Sequence, residues 1–172
     1  MAEFTGLVTF RGNPLTLVGN EVNVGDTAPD FEIASSLAER KRLSDFAGKV
    51  RVLNVVPSLD TSVCSTQTQK FDRFAKELGE DVVVLTISMD LPPAQARWAQ
   101  EHQADHVVLL SDYLDHSFGL AYGVRIKELG VLARSVFVVD RDGKVVYKQI
   151  VPETVEEPDY EPVIEAVKKA LG

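Results

Sequence analysis

The sequence predicts an α/β fold: a βαβ half followed by a ββα half around one mixed central sheet, with a β-hairpin in front. Three observations carry that prediction. Two nearly continuous runs rich in β-branched residues, VRVLNVV (50–56) and VVVLTIS (82–88), flank a stretch of helical period. Strands covered on both faces of a sheet read this way. Further on, RSVFVVD (134–140) and GKVVYKQIV (143–151) flank the turn DRDG and precede an apolar helical stripe, as an antiparallel pair followed by a helix would. Near the start, LVTF and PLTLV flank the turn-like RGN, a hairpin over about residues 7–18.

Taken in order, the hairpin comes first, as a short appendage. VNVGDTAPDFE (22–32) follows, where Gly25, Asp26 and Pro29 signal turns. The first core strand, 50–56, leads to a helix over about 63–78, with Phe71, Phe74, Ala75 and Leu78 at i, i+3, i+4 and i+7. Gly79 stops it. After the second core strand, LPPAQARWAQEH (91–102) opens with prolines suited to a first helical turn and carries Leu91, Ala94 and Trp98 on one face. VVLL (107–110) and HSFGLAYG (116–123) read as a short strand and a short helix. In the last helix Asp159 stands at the N-cap, and Tyr160, Val163, Ile164, Val167 and Leu171 form the stripe. The order resembles the thioredoxin fold, a likeness of architecture that does not by itself assign a function.

Composition narrows the function classes. A chain of 172 residues fits one domain, expected to span 1–172. Net charge is −8, which disfavours nucleic acid and anionic membranes, since both call for a cationic footprint. No apolar run reaches the roughly 18 residues of a membrane span. The start, MAEFTGLVTF, lacks the basic and long apolar regions of a signal peptide. With one cysteine there is no internal disulfide, and a cytoplasmic protein is expected.

That cysteine, Cys64, lies in VVPSLDTSVCSTQTQKF (55–71), just past the first core strand and in the first turn of the next helix, with Ser62 or Thr61 as N-cap. Ligands of open α/β sheets bind at this edge. A thiol reacts as its thiolate, and the unpaired N–H groups and dipole of a helix N-terminus favour the anion. A buried, inert cysteine is the commoner fate of a lone thiol, but the neighbours here are hydroxyl residues. Thr61 occupies the first position of a C-x-x-C motif, so dithiol exchange within the motif is impossible.

PSLDTSVC contains P-x-x-x-T-x-x-C, with Pro57, Thr61 and Cys64 at the spacing used by peroxiredoxins. With SMDLPPAQARW (88–98), AYGV (121–124), LARSVFVVD (132–140), VPETVEEPDY (151–160) and FRGNP (10–14), the whole chain resembles the bacterial thiol peroxidase subfamily of the peroxiredoxins. The resemblance implies reduction of hydrogen peroxide and alkyl hydroperoxides. Cys64 would be the attacking cysteine, converted to a sulfenic acid. Thr61 would hydrogen-bond the thiolate and the peroxide, Pro57 would shield the pocket, and Arg134 would stabilise the thiolate and align the peroxide. On its own, Arg134 reads as a surface arginine at a strand start. The resemblance also implies a homodimer, a thioredoxin-like protein or small-molecule thiol as reductant, and neither cofactor nor metal.

One departure stands out. The subfamily usually has a second, resolving cysteine on the helix after the second core strand, and here Ala99 stands at that position. Either the chain is a natural one-cysteine member or the cysteine has been replaced. In both cases an outside thiol must reduce the sulfenic acid. A Cys–His hydrolase is a rival use of one cysteine, but His102, His106 and His116 are all remote from Cys64 in sequence. His102 and His106, four apart, read as surface residues rather than metal ligands, and ELGED and EPDYEP as solvated helix ends. A non-enzymatic peroxide sensor would use the same Cys64 chemistry once per molecule.

Overall fold

The computed structural model describes residues 2–172. Its elements are β1 (Ala2–Phe10), β2 (Asn13–Gly19), β3 (Glu32–Ala34), β4 (Arg40–Arg42), β5 (Val50–Val55), α1 (Ser62–Leu78), β6 (Val82–Ser88), α2 (Pro92–His102), β7 (Val107–Ser111), α3 (Ser117–Tyr122), β8 (Arg125–Ile126), β9 (Ser135–Val139), β10 (Val145–Ile150) and α4 (Tyr160–Leu171). The main sheet runs β10-β9-β5-β6-β7-β3-β4, and a smaller one runs β1-β2-β8. β5 pairs parallel with β6 and antiparallel with β9, while β6 pairs parallel with β7. This is the mixed sheet the sequence predicts, with β5, the strand that leads to Cys64, inside it between β9 and β6.

Alternation along β5 divides the core into two layers. Leu53 and Val55 face one layer, with Leu85, Ile87, Phe118, Tyr122 and Phe137. Val50 and Val52 face the other, with Phe71 and Ala75 of α1, Trp98 of α2, Val163 and Val167 of α4, and Cys64 itself.

Four features correct or extend the sequence prediction. The hairpin starts at Ala2 and ends at Gly19, longer than the predicted 7–18, and it turns on Arg11 and Gly12, both at positive φ. Nor is it an appendage, because Val8, Leu15 and Leu17 are buried in the first layer and β2 pairs with β8. Its far end is docked tightly on α3. Asn20 N–H donates to Leu120 O at 2.8 Å, and a Cβ on Gly123, at φ +67°, would stand 2.5 Å from Asn20 O. Only glycine fits there. Third, β3, β4 and β8 were not predicted: they are two or three residues long, too short for any period. Finally, the turn-rich stretch 22–32 is tied to the β9–β10 hairpin, by Gly25 N–H to Val145 O and Ala28 N–H to Gly143 O, both at 2.8 Å.

Candidate active site

The edge of the sheet at the end of β5 carries the predicted residues. Thr61, not Ser62, is the N-cap of α1. The first helical bond runs from Ser65 N–H to Thr61 O, at 3.0 Å. The N–H groups of Ser62, Val63 and Cys64 therefore have no acceptor within the helix. The Thr61 hydroxyl does not cap: it donates to Ser58 O at 3.0 Å. Pro57, Thr61 and Arg134 line one cavity of about 490 Å³, together with Ser62, Val63, Phe10, Arg11, Leu129, Val131, Thr154 and Val155. Cys64 is not on its wall. The thiol is 0% exposed, packed beneath in the helical layer of the core.

Arg134 is not a surface residue. It is 2% exposed and fixed at three points: Nε and Nη2 donate to Thr154 O at 3.1 and 2.8 Å, and Nη1 donates to Gln67 Oε1 at 2.9 Å. None of these bonds goes to Cys64. The anchors hold the guanidinium plane at the cavity and leave N–H donors to spare.

Several supporting residues were not foreseen. Gln67, one turn after Cys64, donates Nε2–H to Asn54 Oδ1 at 2.6 Å. Asn54 in turn donates to Thr68 Oγ1 and Thr86 Oγ1 at 3.1 and 3.0 Å. A satisfied buried chain thus runs from β6 through β5 and α1 to Arg134. The signals were faint but present: an asparagine inside an apolar strand, and a glutamine on the buried face of a helix. Asp90, the acid of SMDLP, holds the Pro57–Thr61 loop. It accepts from Ser58 Oγ at 2.6 Å and from Leu59 N–H at 2.8 Å.

Ala99 lies partly buried on α2, against the layer that contains Cys64. The residues next to the two positions touch, with Trp98 Nε1–H donating to Ser65 Oγ at 3.0 Å. His102 stacks on Trp98, with centroids 4.7 Å apart, and its Nδ1 donates to Trp98 O. Its Nε2 lies 3.5 Å from Ser65 Oγ, so its nearest partner is that hydroxyl and not the thiol. His106 Nδ1 is 3.7 Å from Asp72 Oδ2, and His116 opens α3. Among the described residues no group of three or more His, Cys, Asp or Glu could hold a metal, and no helix is long and apolar enough to cross a membrane. EPDYEP is the solvated N-terminal end of α4, with Glu157, Asp159 and Glu161 exposed. Glu157 accepts from Lys70 Nζ at 2.9 Å and from Tyr160 OH at 2.7 Å, which clasps α1. Those two donors hold its carboxyl below the usual range. A larger cavity of about 640 Å³ lies past the opposite end of β9, between Asp140, Val146 and Lys169, and contains none of the predicted residues.

The family described as Redoxin matches residues 23–164, which include α1 and Cys64. A thiol peroxidase of Bacillus subtilis (strain 168) is 55% identical over 161 residues, 94% of this chain and 96% of that protein. The chain belongs to the thiol peroxidases, which are peroxiredoxin-type oxidoreductases. A peroxiredoxin-like protein from Aquifex aeolicus is 41% identical and superposes with a TM-score of 0.89, covering 96% of this chain and 98% of that one. A thiol peroxidase from Chromobacterium violaceum, 20% identical, shares the thioredoxin-like fold with a TM-score of 0.84 over 95% of this chain and 96% of its own.

Proposed function

We propose that the chain reduces hydrogen peroxide and alkyl hydroperoxides through a sulfenic acid at Cys64. The observation that supports this most is the convergence of Pro57 and Thr61, from one loop, with Arg134, distant in sequence, on one cavity at the helix N-terminus that carries the only cysteine. The Cys64 thiolate attacks the terminal peroxide oxygen. The S–O bond forms as the O–O bond breaks, sulfur is oxidised, the peroxide is reduced, and the leaving oxygen takes up a proton as water or alcohol. Charge moves from sulfur to that oxygen. Donors fixed beforehand stabilise it without reorganising, and the anchored guanidinium of Arg134 and the free N–H groups of the first turn are such donors. The Thr61 hydroxyl, which donates to Ser58 O, redirects to the peroxide; catalytic hydrogen bonds commonly tighten only once substrate is bound. The first-turn side chains shift to admit the peroxide to the buried sulfur. Pro57 keeps water from the reacting atoms.

An outside thiol then attacks the sulfenic sulfur, releases water and forms a mixed disulfide, and a second thiol frees Cys64. The reductant is a small thiol or a thioredoxin-like protein. A single domain, a homodimer and a cytoplasmic location belong to the same reading. They are supported by the family resemblance and, for location, by the lack of a cysteine pair.

Turnover tests the proposal against the sensor reading. With excess dithiothreitol the protein is expected to consume many equivalents of peroxide, and Cys64→Ser none above the thiol-only background. Consumption that stops at one equivalent per chain would support a sensor instead.

A further inference from the structure

We infer that Glu153 is a positioning residue that latches the N-terminal hairpin against the peroxide cavity and so governs how bulky hydroperoxides are handled. The inference rests on the reading of that cavity as the peroxide site. Glu153 belongs to the strap between β10 and α4. Its Oε1 accepts from Gly12 N–H at 2.9 Å and from Thr9 Oγ1 at 3.1 Å, and its Oε2 accepts from Val155 N–H at 3.0 Å. Backbone bonds run beside it: Thr9 N–H to Pro152 O at 2.7 Å and Thr154 N–H to Thr9 O at 2.9 Å. One carboxylate thus joins the turn of the hairpin to the strap. The residues on either side, Phe10 and Arg11 on the hairpin and Thr154 and Val155 on the strap, are wall residues of the cavity. The N–H groups of Val155 and Gly12 hold the Glu153 carboxyl down to about 2, so the latch is ionised at neutral pH. Charge-assisted bonds of this kind are the stronger class.

Size decides which substrate meets this wall. The cavity measures about 490 Å³, whereas a water molecule takes up about 30 Å³ of its liquid. Hydrogen peroxide, with two oxygen atoms, fills a small part and reacts without touching the hairpin. A hydroperoxide with a bulky apolar group packs against Phe10, Leu129 and Val155.

The test compares second-order rates of Cys64 oxidation by hydrogen peroxide and by cumene hydroperoxide. Glu153→Ala is expected to slow the cumene hydroperoxide reaction about tenfold, the worth of roughly one hydrogen bond to a charged group, and the hydrogen peroxide reaction less than about twofold. Glu153→Gln is expected to restore most of the loss, because its carbonyl can still accept from Gly12 and Thr9. Should Glu153→Ala not fold, Thr9→Val removes the hydroxyl that reaches Glu153 Oε1 at 3.1 Å and Pro152 O at 3.3 Å, and is expected to slow cumene hydroperoxide alone, by about threefold. Equal slowing of both peroxides, or no slowing of either, would overturn the inference. A parent protein that oxidises Cys64 with neither peroxide would instead count against the functional reading itself.

Discussion

Arg134→Lys is expected to slow oxidation of Cys64 by hydrogen peroxide about a hundredfold, although the charge is kept. Removing one preorganised donor from a site where charge develops typically costs about 10²–10³ in rate. Arg134 sits in a closed setting, 2% exposed, with Nε and Nη2 both on Thr154 O and Nη1 on Gln67 Oε1. A lysine ammonium is a point charge on a flexible stem. It can meet Thr154 O or Gln67 Oε1 but cannot span the two and still face the cavity. Trp98, the only tryptophan, hydrogen-bonds Ser65 beside Cys64, so stopped-flow fluorescence can follow the reaction, and a thermal melt of the same variant separates chemistry from folding. Equal rates for the two proteins would remove Arg134 from the site.

The second large effect concerns Ala99. Excess peroxide without thiol is expected to abolish activity irreversibly, as the sulfenic acid at Cys64 meets a second peroxide and passes to sulfinic and then sulfonic acid. Ala99→Cys is expected to make the loss reversible by supplying a thiol that condenses with the sulfenic acid, releasing water and leaving a disulfide. Closing that bridge needs the two Cα atoms within about 7 Å. The Trp98–Ser65 bond and the Trp98–His102 stack hold α1 and α2 together at this point. They must open as the helices unwind locally, which the family resemblance also implies. Peptide mass spectrometry decides the matter. An Ala99→Cys protein that gains oxygen at Cys64 as readily as the parent, with no disulfide-linked peptide, would show that position 99 does not resolve.

What the sequence revealed, and what it hid, follows from the range of the interactions. Buried strands leave continuous apolar runs in the chain and amphipathic helices leave a period, so β5, α1, β6, α2 and α4 were legible. Cys64, Thr61 and Pro57 were legible because they share one loop with a known spacing. Arg134 was assigned to the site by resemblance alone, since at a strand start nothing local distinguishes an arginine 2% exposed from a solvated one. Its anchors, Gln67 and Thr154, reach it across 67 and 20 positions, and such bonds leave no local pattern. The same holds for Glu153, whose partners on the hairpin lie more than 140 positions away. β3, β4 and β8 exist because other strands receive them, so two or three residues could not announce them. The hairpin was visible, but its role as a cavity wall was not, because that role depends on the strap folded against it.

The most direct measurement is peptide mass spectrometry after one equivalent of hydrogen peroxide, in the presence of a cyclic 1,3-dione that traps sulfenic acids. With a single cysteine in the chain the outcome is unambiguous. The account predicts that the peptide containing Cys64 carries the dione adduct in near-stoichiometric amount, and that prior alkylation of Cys64 prevents both the adduct and peroxide consumption. Peroxide consumed while Cys64 remains a free, unlabelled thiol would contradict it.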